Sequence, residues 1–213
     1  MIRIAILASG SGSNTENIVK YFAKSAEIEV SAIISNKADA YVLERAQYLH
    51  VPSYVFGKTE FLETNKVQLL LDELKIDWII LAGFLVLLPV SIVDKYEGRI
   101  VNIHPSLLPK YGGKGMYGDR VHKAVVEAHE KESGITIHKI DANYDRGTTV
   151  FQAKIKLKPT DTAEKVAQKV HALEYKFFPV VIENLILNRP FEKEVTVEPI
   201  DNEQSVRVER KDR

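Results

Sequence analysis

The chain has 213 residues, 45% of them hydrophobic, and is long enough to bury a substantial core. Its 29 basic and 29 acidic side chains cancel, which disfavours nucleic acid or an anionic membrane as a partner. The absence of cysteine excludes disulfides, thiolate metal ligands and a cysteine nucleophile. No signal-peptide pattern opens the chain, and no apolar run reaches the ~20 residues of a membrane span. We therefore expect a soluble cytoplasmic protein.

Short apolar strands alternate with helical patterns in the first half of the chain. The alternation predicts an α/β fold, with a mostly parallel, twisted, doubly wound sheet of the Rossmann-like kind and helices on both faces. Ligands of such sheets bind beyond the carboxyl ends of the strands, near the switch in strand order. The predicted strands are 2–9, 28–35, 53–56, 77–83 and 99–104, and the predicted helices are 14–25, 40–49, roughly 60–75, and 89–96.

The second half is less regular. A helix over about 119–131 precedes strands at 134–140 and 149–157, whose spacing predicts an antiparallel pair on the edge of the sheet. A long helix is predicted over 161–187, with Asp161 or Thr162 near its N-cap and a kink at Pro179.

The segment SGSGSN, residues 9–14, lies between the first strand and the first helix. Gly10 and Gly12 permit a tight turn whose N–H groups face an anion beside the helix N-terminus. The dinucleotide pattern G-x-G-x-x-G fails at Thr15, and Asn36 stands where an acidic residue would bind a ribose hydroxyl. The segment therefore favours a single phosphate, and the alternative is a glycine turn that binds nothing.

The segment NIHPSLLPKYGG, residues 102–113, follows an apolar strand. Pro105 keeps His104 out of the helical conformation, and Asn102, two residues earlier on the strand, points to the same face. An amide and an imidazole therefore project together at the carboxyl end of the strand. Asp141 or Asp145 of KIDANYDRG could add a carboxylate, although an aspartate in a loop is by default a turn former or a cap.

The remaining histidines are expected to be ordinary surface or buried residues. Two of them stand seven residues apart on one predicted helix and could not share a metal without a third ligand, so no metal site is expected. These histidines are His50, His122, His129, His138 and His171.

Five segments, in this order and spacing, resemble the glycinamide ribonucleotide formyltransferases of purine biosynthesis, from residue 1 to about 190. They are LASGSGSN, ISNKADA, LAGFLVLL, NIHPSLLPKY and DRG-TTVFQAK. The resemblance implies transfer of a formyl group from 10-formyltetrahydrofolate, a co-substrate, to the primary amine of glycinamide ribonucleotide. The reaction would proceed by direct attack through a tetrahedral intermediate, without a metal.

The resemblance also implies roles for individual residues. Asn102, His104 and Asp145 would be catalytic, and Glu174 would contact the amine of the substrate. The Leu108–Pro109 bond is expected to be cis. The phosphate would bind Gly12, Ser13 and Asn14. The folate would lie against Leu81, Phe84, Leu85, Leu87, Leu88 and Val93, with its pterin ring held by backbone groups of the loop Asp141, Ala142, Asn143, Tyr144 and Asp145.

By the same resemblance, residues 1–190 would form the formyltransferase domain, with a phosphate-binding half over about 1–100 and a folate and catalytic half over about 100–190. Residues 191–213 would form a strand-like extension and a charged tail. Two features depart from the family pattern: Val86 replaces a common arginine, and Lys114 to Asp119 form an insertion after Gly112-Gly113. The oligomeric state is open between monomer and homodimer.

Four other functions are alternatives to formyl transfer to glycinamide ribonucleotide. An oxidoreductase is disfavoured by Thr15 and Asn36. A formyltetrahydrofolate hydrolase would share NIHPS but is expected to carry an additional N-terminal module, and a methionyl-tRNA formyltransferase a further basic domain. A non-catalytic nucleotide-binding module is the fourth. Ser106 is conceivable as a nucleophile, but no G-x-S-x-G motif surrounds it.

Overall fold

The computed structural model of the chain describes residues 1–140, 147–199 and 206–209. These residues form two compact units, the first made of 1–102 and 139–140 and the second of the remaining described residues. Within the described part of the chain, no helix has the length and apolar character needed to cross a bilayer.

The first unit contains a parallel sheet in the strand order β3-β2-β1-β4-β5. The order reverses between β1 and β4, so this is the switch point beyond which ligands of α/β sheets bind. The strands are β1 Ile2–Leu7, β2 Ile28–Ser35, β3 Ser53–Val55, β4 Trp78–Leu81 and β5 Ile100–His104, and the helices are α1 Ser13–Phe22, α2 Val42–Tyr48, α3 Lys58–Glu63, α4 Lys66–Glu73 and α5 Val90–Lys95.

Aliphatic strand residues and one face of each flanking helix form the core of the first unit. Phe61 is fully buried there and packs against Phe84, with ring centroids 5.0 Å apart. The single helix predicted over roughly 60–75 is wrong, because α3 and α4 are separate helices. Thr64 ends α3 in an extended conformation, and its hydroxyl donates to the Glu60 carbonyl while accepting the N–H of Lys66.

The second unit combines antiparallel and parallel pairing. β6 and β7 are antiparallel, as predicted, but β8 pairs with β7 in parallel, so β7 is an inner strand and not an edge. β9 is antiparallel to β8. The elements are α6 Asp119–Glu127, β6 Glu132–Lys139, β7 Thr149–Lys156, α7 Ala163–Ile186, β8 Glu194–Pro199 and β9 Val206–Glu209.

The long helix α7 packs against α6. Its N-cap is Thr162, whose hydroxyl accepts the N–H of Lys165, in agreement with the sequence pattern. The helix continues through Pro179 to Ile186. The predicted α/β class is confirmed, with a mostly parallel sheet and an antiparallel part in the second half.

Two leucines on α4 give a matched test of the first unit's core. Leu71 is fully buried, whereas Leu69 on the same helix is 56% exposed. Leu71→Ala should lower the free energy of unfolding by about 2–5 kcal/mol, because it removes buried methyl groups and leaves a cavity. Leu69→Ala should change it by about 0.5 kcal/mol or less. Urea denaturation measures both, and equal effects would contradict the packing of α4.

Candidate active site

The loop after β1 places a left-handed glycine at the start of α1. Gly12 is the N-cap, with φ 75° and ψ 22°, and α1 begins at Ser13. The first N–H groups of any helix lack acceptors within the helix, and in α1 these belong to Ser13, Asn14 and Thr15. The three predicted phosphate-binding residues therefore stand at a helix N-terminus, which attracts anions.

Gly12 is also required by packing. A Cβ added there would lie 2.4 Å from Cγ2 and 2.9 Å from Cα of Val42. The Val42 N–H donates to the Gly10 carbonyl at 3.1 Å, and Arg45 Nε donates to the Ser11 carbonyl at 2.7 Å. The start of α2 therefore holds the loop from one side.

Ser9 links this loop to the segment that follows β4. Its N–H donates to the Gly83 carbonyl, and its hydroxyl accepts the N–H of Leu85 at 2.9 Å. The same hydroxyl donates to Asn36 Oδ1 at 2.5 Å. One buried serine thus joins the carboxyl ends of β1, β2 and β4 at the switch point.

The apolar residues predicted to contact a folate divide into two groups. Leu81, Leu88 and Val93 are buried in the core of the first unit. Phe84 is half-buried against that core, whereas Leu85 and Leu87 are 43% and 40% exposed. Of the six predicted residues, Leu85 and Leu87 are the most exposed to a ligand.

His104 is buried at the carboxyl end of β5, 4% exposed. Its Nε2 lies 2.8 Å from the carbonyl oxygen of Tyr111. Because a carbonyl can only accept, Nε2 must carry the proton. The neutral ring then holds its lone pair on Nδ1, and Nδ1 can donate only when the ring is a cation. Asn102, two residues earlier on β5, is half-buried.

Side chains from β6 and β7 hold the loop between His104 and Tyr111. The buried Thr136 hydroxyl accepts the N–H of Leu108 at 2.9 Å and donates to the Ser106 carbonyl at 2.7 Å. Gln152 Nε2 donates to the Leu108 carbonyl at 3.0 Å. The Leu108–Pro109 bond is cis, as predicted.

Ser106 belongs to the same support. It is 1% exposed, and its hydroxyl donates to the Lys110 carbonyl at 2.7 Å. This hydrogen bond gives the Ser106 hydroxyl a structural role in the loop, in place of a nucleophilic one.

Tyr111 is fixed at both ends. Its backbone is left-handed, with φ 56°, an uncommon conformation for a residue other than glycine. Its hydroxyl donates to Glu130 at 3.0 Å, and Lys110 Nζ donates to the same carboxylate at 2.8 Å. The bonds from Lys110 and then from Tyr111 lower the pKa of Glu130, which therefore stays ionised and keeps Tyr111 in place.

A pocket of about 250 Å³ adjoins this loop, lined by Ser106 to Tyr111 and by side chains of β6 and β7. Neither His104 nor Glu174 lines it. It is therefore separate from the candidate catalytic histidine.

Glu174 lies in a cluster of histidines between α6 and α7. Glu174 is 4% exposed as a residue, and its Oε2 lies 2.9 Å from Nδ1 of His171. The ring of His171 meets that of His122 edge to face, with centroids 6.2 Å apart. Among the described residues, no group of three or more His, Asp or Glu side chains is arranged to hold a metal ion.

A profile of the family described as "Formyl transferase" matches residues 2–182. The chain belongs to the formyl transferase family.

Named relatives of this family cover most of the chain. The chain is 37% identical over 190 residues to a phosphoribosylglycinamide formyltransferase of Haemophilus influenzae, covering 85% of this chain and 86% of the relative. A chloroplastic enzyme of that name from Arabidopsis thaliana is 35% identical, covering 95% of this chain and 72% of the relative. The solved structure of a phosphoribosylglycinamide formyltransferase from Anaplasma phagocytophilum superposes with a TM-score of 0.81 at 29% identity, covering 100% of this chain and 96% of that one.

Some predicted residues of the formyl transferase site lie outside the described residues. These are Asp141, Ala142, Asn143, Tyr144 and Asp145.

The structure adds residues that the sequence analysis left without a role. His171 precedes Glu174 by three residues, a spacing at which side chains on a helix contact each other. The sequence pattern therefore contained a signal for this pair. His122 carried no such signal.

Gly12→Ala should damage the predicted phosphate loop even without a ligand. The left-handed backbone and the contact with Val42 together should lower the free energy of unfolding by about 2–4 kcal/mol. Gly10→Ala is the matched control, because nothing lies within 4 Å of an added Cβ there. Urea denaturation of both variants measures the difference. A Gly12→Ala protein as stable as the control would contradict this packing.

Thr136→Val tests the support of the histidine loop. The variant keeps the shape but leaves the Leu108 N–H without its acceptor, so the free energy of unfolding should fall by about 1–3 kcal/mol. Thr149→Val, at an exposed position of β7, should cost about 0.5 kcal/mol or less. Thermal or urea unfolding distinguishes the two, and an unchanged Thr136→Val protein would show that the hydroxyl does not hold the loop.

Proposed function

We propose that the chain transfers a formyl group from 10-formyltetrahydrofolate to the primary amine of glycinamide ribonucleotide, giving formylglycinamide ribonucleotide. The reaction class rests on the family match over residues 2–182. The acceptor rests on the names of the relatives, of which the Haemophilus influenzae enzyme shares 37% identity over most of both chains. The single observation that carries the chemistry is His104, buried with its proton held on Nε2 by a carbonyl.

In this reaction the amine nitrogen attacks the formyl carbon, and the formyl oxygen gains negative charge. The bond from that carbon to the folate nitrogen then breaks, the folate nitrogen takes up a proton, and the attacking nitrogen loses one. As a cation, His104 donates from Nδ1 to the charged oxygen, while Nε2 remains bound to the Tyr111 carbonyl. A donor aimed in advance at such an oxygen typically stabilises the transition state by ~3–4 kcal/mol.

Asn102 and Asp145 complete the proposed catalytic set. The Asn102 amide is a second donor to the same oxygen. The Asp145 carboxylate favours the charged form of His104 or accepts the proton of the amine through a water. The reaction needs no covalent enzyme intermediate.

The remaining predicted residues bind the substrates in this proposal. Backbone groups of Gly12, Ser13 and Asn14 bind the phosphate of the ribonucleotide, and the exposed side chains of Leu85 and Leu87 contact the folate. Glu174 receives the amine of the substrate.

The direct test is an assay of the purified protein with both substrates, followed by absorbance of the folate product. Formylation that requires glycinamide ribonucleotide supports the proposal. Release of formate without the amine would indicate a hydrolase, and activity only with another amine would change the acceptor.

The catalytic set has its own kinetic signature. His104→Ala and Asp145→Asn should each lower kcat by about 100-fold or more with modest changes in KM, because the lost interactions exist mainly in the transition state. His129→Asn, at an exposed left-handed position that asparagine tolerates, should leave kcat unchanged.

The double variant tests whether His104 and Asp145 act together. Residues that act as a unit are non-additive, so it should be little worse than the poorer single variant. Fully additive losses would mean that Asp145 is not the partner of His104. Circular dichroism must remain native in each variant, so that misfolding is not read as lost catalysis.

A further inference from the structure

Glu174 is a carboxylate that folding removes from water. Its side chain is 6% exposed. A buried carboxylate is costly unless it is paired with an opposite charge or hydrogen-bonded. The partner that Glu174 has in the fold therefore matters for its use.

His171 is a partner in the right place. It precedes Glu174 by three residues on α7, and its Nδ1 lies 2.9 Å from Oε2. Its ring stacks on that of Tyr175, with centroids 6.2 Å apart and planes 15° apart. The ring is therefore held against one oxygen of the carboxylate, and 48% of its side chain is in contact with solvent.

The charged groups around this pair favour a cation on His171. The hydrogen bond to Glu174 raises the pKa of His171 against the effect of burial, and Asp119 on α6 raises it further. His122 on α6 behaves oppositely, because burial and then the charge of His171 lower its pKa, with a smaller contribution in the same direction from His104. The surroundings of Glu174 thus favour the cation of His171 and the neutral ring of His122.

We propose that His171 is a positioning residue that holds the Glu174 carboxylate oriented to receive the primary amine of the substrate. This rests on the proposed function, since Glu174 is the residue taken to bind that amine. His171 does not touch the reacting atoms. It fixes Oε2, and through Oε2 it sets the rotation of the whole carboxylate.

The pH dependence has a definite sign. The pKa of His171 is higher in the folded protein than in the unfolded chain, so the cation contributes fully at low pH and is lost as the pH rises through the folded pKa. Substrate recognition that depends on the cation should weaken over the same interval.

The first experiment follows the ring of His171 by NMR as the pH is raised, with the protein labelled at histidine. Glu174→Gln should shift the titration of His171 to lower pH, because it removes the negative charge that stabilises the cation. An unchanged titration would overturn the pairing whether or not the enzyme formylates glycinamide ribonucleotide.

The second experiment compares His171→Gln and His171→Lys with the wild type over about pH 6 to 9, a range that spans the histidine titration. At low pH, His171→Gln should raise KM for glycinamide ribonucleotide about tenfold with little change in KM for the folate. Its kcat/KM relative to the wild type should approach one at high pH. His171→Lys stays charged, so its relative kcat/KM should rise with pH.

Because each variant is compared with the wild type on the same substrate, titration of the substrate amine cancels. Lys165→Gln, an exposed charge on the same helix, should give a ratio near one at every pH. Ratios for the two His171 variants that do not change with pH, or equal rises in both KM values, would overturn the positioning role. Absence of turnover in the wild type would instead refute the proposed function.

Discussion

The hydrogen bond from His104 Nε2 to the Tyr111 carbonyl is the constraint on which the catalytic end of this protein depends. Nε2 is bound to the backbone, so only Nδ1 is available for the proposed reaction. The bond exists only if residues 105–111 return the chain to the end of β5. That return requires a left-handed backbone at Tyr111. The His104 ring bonds the carbonyl of Tyr111, and Glu130 accepts a hydrogen bond from its hydroxyl, so both ends of the residue are held. Strained backbone of this kind persists only where its surroundings determine it.

Polar side chains around the loop fix the conformation of Tyr111, and each of them has a hydrogen-bond partner. Thr136 and Gln152 satisfy the backbone of Leu108, and Glu130 is paired with Lys110 and Tyr111. Glu174 is paired with His171 in the same way. Thr136 is fully buried, so removal of its hydroxyl would leave backbone groups of the loop unsatisfied.

The strands of the parallel sheet could be predicted from the sequence, because short apolar runs bounded by polar turns are typical of buried strands. The sequence analysis missed the break between α3 and α4, where Thr64 competes for backbone hydrogen bonds without interrupting the apolar pattern. The folate contacts came from the family resemblance, which carries no information on burial, by which Leu81, Leu88 and Val93 differ from the exposed Leu85 and Leu87. The left-handed backbone of Tyr111 has no sequence signal, since it arises from contacts made by distant residues.

The tautomer of His104 tests the central claim most directly. Long-range proton–nitrogen NMR of the histidine-labelled protein, recorded at a pH where the ring is neutral, distinguishes the protonated ring nitrogen from the one that carries a lone pair. The account predicts that Nε2 is protonated and Nδ1 is not, and that Tyr111→Gly, which frees the backbone of this residue, weakens that preference. A neutral ring protonated at Nδ1 would contradict it, because the Tyr111 carbonyl could then not hold His104.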